Sequence, residues 1–62
     1  MDYSQKIKEY RKKVLITQTE LAEKLNVSYA SVNRWEKGTF KPTMKVKRKL
    51  RKLFIEAGLE AE

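Results

Sequence analysis

The side chains able to do chemistry in this 62-residue sequence are nearly all cations. It contains no His and no Cys, so the commonest general base, the thiolate nucleophile and the usual zinc ligands are missing. No glycine-rich phosphate loop occurs either, which makes an enzyme the least supported class; no cofactor and no metal site are expected. What remains is charge: 15 Lys+Arg stand against 8 Asp+Glu, for a net +7. From Lys24 to Phe54 the bases are Lys24, Arg34, Lys37, Lys41, Lys45, Lys47, Arg48, Lys49, Arg51 and Lys52, with Glu36 as the only acid. Such a balance favours polyanions, although a charge run by itself describes a solvated surface equally well.

These cations need elements to position them. A chain of this length supports one domain, because it buries only about 60% of the surface exposed when unfolded. Without cysteine, stability must come from helix packing, and the composition fits a reducing cytoplasm. Nothing near Met1 reads as a signal peptide or membrane span, so a soluble, intracellular protein with no membrane partner is expected.

Tyr3, Ile7, Tyr10 and Val14 draw one apolar stripe and predict a first helix over about 4–14. Thr17 with Glu20 three residues on reads as a capping box opening a second helix, which ends near Leu25 where Asn26 can take a left-handed turn. Ser28 should cap a third helix reaching about Lys37, with Gly38 as its stop. After a loop closed by Pro42, a fourth helix is expected over about 43–57. It places Val46, Leu50, Leu53, Phe54 and Ala57 inward and Lys45, Lys47, Arg48, Lys49, Arg51 and Lys52 around the rest. The domain is thus expected over 1–57, followed by a frayed acidic tail over 58–62 containing Glu60 and Glu62.

Counted from Gln18, the stretch 17–38 meets the requirements of two short helices joined by a bend. Ala22 is fifth, where the helices cross closely, and Asn26 is ninth, where the chain must turn with positive φ. Leu21, Leu25, Val27, Val32 and Trp35 fill the inward positions, leaving Tyr29, Ala30 and Arg34 outward. Trp35 therefore reads as core rather than a base-stacking residue.

The motif T-Q-x-E-L-A-x-x-L-x-V-S-x-x-x-V-x-x-W-E-x-G, followed by Pro42, resembles the lambda-repressor and Cro type of helix-turn-helix, also called XRE-like. The resemblance is strong over 17–42, extends to helix 1 and fades after Phe54. It implies an all-α, compact four-helix DNA-binding domain with at most a rudimentary fifth helix. Such domains occur most often in a bacterial or phage transcriptional regulator, cytoplasmic and nucleoid-associated.

By the same resemblance, helix 3 enters the major groove with Tyr29, Ala30 and Arg34 at base-facing positions and Asn33 and Ser31 beside them. Arg34 suits a reader, since its planar fork can donate to guanine O6 and N7 together, a contact worth about 1–3 kcal/mol of discrimination. The Ala30 methyl could meet a thymine methyl, and Tyr29 could meet a base edge or a phosphate. Gln18 falls where relatives contact a phosphate, with Ser31, Lys37, Thr39, Lys41, Thr43 and Lys45 as further backbone contacts. Arg11 and Glu36 correspond to an ion pair between helices 1 and 3.

Two departures matter. Relatives often carry Gly at the ends of helices 1 and 2; Asn26 tolerates such a turn, whereas Leu15 leaves the path after helix 1 open. Relatives also use a fifth helix to dimerise, and only 58–62 follow helix 4 here, so a homodimer, a monomer and a fragment of a longer protein stay open. A sequence-specific regulator or repressor is the leading reading. An antitoxin-like or adaptor protein holding a protein partner, and a non-specific binder of anionic polymers or membranes through helix 4, stand beside it.

Overall fold

A computed structural model describes residues 3–60. Four helices follow in order, α1 Tyr3–Val14, α2 Gln18–Leu25, α3 Tyr29–Lys37 and α4 Met44–Glu56, and no strand occurs among the described residues. The architecture is all-α, as the periodicity and the resemblance both predict.

Local chemistry explains where the helices begin. The Thr17 hydroxyl accepts from the Glu20 N–H at 3.1 Å, and the Thr17 N–H donates to the Glu20 carboxylate at 2.9 Å, a complete capping box. Ser28 accepts from the Ser31 N–H at 3.2 Å to start α3. Thr43 takes the corresponding place before α4 but makes no side-chain capping bond.

The helices end in one shared way. Leu15, Asn26, Gly38 and Gly58 all have positive φ, between 57° and 78°. The N–H of the next residue then turns back to a carbonyl five positions earlier: Ile16 to Arg11, Val27 to Ala22, Thr39 to Arg34 and Leu59 to Phe54, at 2.8–3.1 Å. This is the Schellman closure, which satisfies carbonyls the helix itself leaves free. Leu15, whose path was open from sequence, makes the same turn as the other three. Its side chain is 86% exposed, while Ile16 packs against the core and secures the closure.

Every helix contributes to one core. Ile7 and Tyr10 of α1, Leu21, Ala22 and Leu25 of α2, Val32 and Trp35 of α3, and Val46, Leu50 and Phe54 of α4 are buried. The Tyr10 and Phe54 rings meet with centroids 5.8 Å apart at a tilt of 57°. Val14 departs from the expected stripe, being 37% exposed, because α1 ends there and the chain turns away at Leu15. After α4, Gly58 is exposed at the closing turn and Leu59 is half-buried. Leu59 lies against the core, and its carbonyl accepts from Lys6 Nζ at 2.8 Å. Glu62 of the expected tail lies outside the described residues.

An ion pair ties α1 to α3. Arg11 Nε donates to Glu36 Oε2 at 2.6 Å and Arg11 Nη2 to Oε1 at 2.8 Å, a bidentate fork. The Glu36 side chain is 6% exposed and that of Arg11 25%. Burial works against the Glu36 charge and alone would push its pKa up. Hydrogen bonds from Arg11 and Gln18, with the charges of Arg11 and Lys8, outweigh it and hold the carboxyl below its ordinary value. The hydrogen bond to Glu36 raises Arg11 against the smaller effect of burial, so it stays charged.

Two stability predictions follow from these contacts. Glu36→Ala should destabilise by about 3 kcal/mol, the low end for a broken buried pair because water reaches part of Arg11. That is a large share of the ~3–9 kcal/mol expected for a chain of this length. Because the folded Glu36 pKa is depressed, the pair's contribution is full above the unfolded value of about 4.3 and is lost as pH falls through the folded one. Denaturant melts of wild type and variant should therefore converge in acid, and a difference independent of pH would contradict the pairing. Leu15→Gly should raise stability by about 1 kcal/mol and Tm by about 4–8 °C, by relieving left-handed strain at a site where no packing is lost. An unchanged or lower Tm would show that the turn costs leucine nothing.

Candidate nucleic-acid interface

α3 has two unlike faces. Val32, Trp35 and Glu36 are buried against the rest of the fold, with Trp35 only 7% exposed, while Tyr29, Ala30, Arg34 and Lys37 are exposed. Tyr29 leaves 51% of its surface in water. Ser31 and Asn33 lie half-buried at the margins, and the Ser31 hydroxyl is shared with that of Ser28 at 3.1 Å.

The start of α2 contributes a second feature. Gln18 is half-buried there, and it is one of the groups that hold the Glu36 carboxyl below its ordinary pKa. The capping box takes up the amides of Thr17 and Glu20. Those of Gln18 and Thr19, in the first turn, have no intrahelical acceptor and carry the partial positive charge of the helix end.

Beyond α3, the left-handed turn at Gly38 sends the chain back past the helix it has just left. Thr39, Phe40, Lys41 and Thr43 are exposed, while Pro42 is buried and anchors the loop before α4 starts. Lys45 is exposed in the first turn of α4. The Arg34 guanidinium carbon lies over the Phe40 ring, 5.5 Å from its centroid.

The cations of α4 divide into two groups. Lys47 lies over the Tyr3 ring at 5.4 Å, and Lys49 Nζ donates to the Leu25 carbonyl at 3.2 Å, at the closing end of α2. Both are half-buried and serve the fold, whereas Lys45, Arg48, Arg51 and Lys52 face solvent. The contacts of Phe40, Lys47 and Lys49 escape a reading by periodicity. The available signal for Phe40 was a lone aromatic set among polar and basic residues just after a helix-stopping glycine.

The described residues contain no group of three or more His, Cys, Asp or Glu that could hold a metal ion. Among the described residues, no helix is long and apolar enough to cross a membrane.

Comparison with known families agrees with this geometry. A family model described as helix-turn-helix matches residues 7–58, which takes in α2, α3, α4 and all but the first turn of α1. No curated protein and no solved structure matches the chain. The buried crossing at Ala22, the left-handed Asn26 and the outward face of α3 are thus parts of one double-stranded DNA-binding unit, and the chain belongs to the lambda-repressor and Cro type, the XRE-like type, of the helix-turn-helix family.

Proposed function

We propose that the protein is a sequence-specific double-stranded DNA binder that regulates transcription, acting as a repressor by occupying its site, with α3 in the major groove. The observation that carries this reading is the split of α3, whose inner face is fully packed while Tyr29, Ala30 and Arg34 stand in water. Side chains held on a helix that cannot rotate are presented to base edges at little further entropic cost.

In this reading Arg34 reads guanine through its fork, Ala30 and Tyr29 meet neighbouring bases, and Asn33 reaches the same groove from the half-buried margin. Gln18 and the free amides at the start of α2 hold one phosphate. Lys37, Thr39, Lys41, Thr43 and Lys45 track the backbone on the other side, with Ser31 between the two. The Gln18 side-chain amide supplies N–H donors for that phosphate. The setting is the cytoplasm of a bacterium or a phage-infected cell, on the nucleoid.

A homodimer on two inverted half-sites fits the dimensions. The Cα extents are 27 × 22 × 19 Å, so two copies can sit on one face of a duplex a helical turn of about 34 Å apart without overlap.

Selection from a randomised duplex pool at several salt concentrations tests the proposal. Enrichment of a defined motif is expected, and two inverted half-sites within it would support the dimer. Absence of any enriched motif, with affinity falling steeply with salt on every sequence, would overturn sequence specificity. On the enriched site, Arg34→Ala should lose about 5- to 150-fold of discrimination at one base pair, corresponding to about 1–3 kcal/mol, with modest loss on random DNA. Lys41→Ala should instead weaken binding to all sequences alike and reduce the salt slope by about 1. The opposite pattern in either variant would exchange their roles.

A further inference from the structure

We infer that Phe40 is a specificity-determining positioning residue, whose ring holds the Arg34 guanidinium by its face and leaves its N–H donors free for a base edge. The inference rests on the reading of Arg34 as a base reader and extends it to a residue outside the helix-turn-helix motif.

Phe40 is 57% exposed, an unfavourable place for a large apolar ring on a domain that has a core to fill. Its one ring contact among those described is Arg34, at 5.5 Å from the centroid. The juxtaposition is built by backbone rather than by chance of two mobile side chains. Gly38 turns left-handed with φ 78°, and the Thr39 N–H closes onto the Arg34 carbonyl itself at 3.1 Å. Buried Pro42 fixes the far end of the short loop that carries Phe40.

The chemistry of the contact suits a reader. An arginine can be fixed by a carboxylate, as Arg11 is by Glu36, but that partner consumes the same fork of donors that a guanine would need. An aromatic ring engages the guanidinium through its face, perpendicular to the plane in which the donors point. Arg11 and Arg34 thus show the two ways of immobilising an arginine in one small domain. The first is spent on structure, and the second keeps its hydrogen bonds available. Glu36, the only acid between Lys24 and Phe54, is committed to Arg11. A flexible arginine loses rotamer freedom on binding, and one already confined by Phe40 loses less, in the guanine-bound state above all.

The test begins on the free protein. Ring-current shifts of the Arg34 side-chain protons should be visible by NMR in wild type and vanish in Phe40→Ala, while Tm changes little because the ring fills no core space. Arg34 shifts that are the same in both proteins would overturn the inference before any DNA is added. On the DNA motif selected by the wild-type protein, Phe40→Ala should lose about two- to five-fold of discrimination at the base pair where Arg34→Ala loses it, consistent with an exposed cation–π contact. Phe40→Trp should keep it, and Phe40→Ala added to Arg34→Ala should cause no further loss there. Wild-type discrimination in Phe40→Ala overturns the positioning role and leaves Arg34 as reader. Equal weakening on all duplexes would mean that the ring touches DNA itself, which also overturns it. If Arg34→Ala discriminates as wild type does, the reader assignment fails and this inference fails with it.

Discussion

A helix of nine residues is too short to hold its shape in water, since nucleation costs more than so few internal hydrogen bonds return. Everything that α3 can do depends on its being pinned along one side. Val32 and Trp35 provide the apolar part of that pinning, and Glu36 provides the directional part by accepting the bidentate fork of Arg11. Apolar contacts alone would let so short a helix roll or slide; a fork held at 2.6 and 2.8 Å permits neither. One acid therefore sets the placement of α3 against α1, and it is the acid that interrupts the basic half of the chain.

The second constraint is how a chain this small closes four helix ends. Each helix is closed by one left-handed residue and a returning N–H, so a connection takes only a few residues and carries an apolar or polar side chain back onto the helix it leaves. After α1, α2 and α4 the returning residues are Ile16, Val27 and Leu59, all packed against the core. After α3 the returning residue is Thr39, exposed, and the chain runs on through Phe40 and Lys41 over the outward side. The same backbone device thus serves packing at three ends and leaves the chain on the exposed side at the fourth. In a domain with so few residues to spare, this economy lets the core reach closure without cysteine.

Charge is divided on the same principle. Of the cations that make the protein basic, Arg11, Lys6 and Lys49 bond to protein oxygens, and Lys47 covers a ring. Such groups shield carbonyls and apolar surface, and their contribution to the field is partly neutralised or turned inward. The loop after α3 and the first turn of α4 carry Lys37, Lys41 and Lys45 with no such commitments, flanking the exposed row of α3. A count of Lys and Arg therefore overstates the charge available to a polyanion, and the available part is concentrated where a groove-bound helix would bring phosphates close.

What the sequence determined by itself was everything that depends on near neighbours. The Thr17–Glu20 box, the Ser28 cap and the turns at Asn26 and Gly38 involve residues within a few positions of one another, and each was legible as local chemistry. The inward residues of α2, α3 and α4 followed from the 3.6-residue period, and with them the outward face at Tyr29, Ala30 and Arg34. Periodicity failed at one end: it extended the α1 stripe to Val14, because a repeat says nothing about where a closing turn will carry the chain. The resemblance alone pointed to the pairing of Arg11 with Glu36 at 25 positions, and only the tertiary structure decided the contacts of Lys49 with Leu25 at 24 and Lys6 with Leu59 at 53. It also decided that Leu15 adopts a left-handed turn, a choice its own side chain opposes and the packing of Ile16 enforces. The reason is common to all of these. A charged or apolar side chain has many acceptable partners in the sequence, and only the packed arrangement of helices selects one.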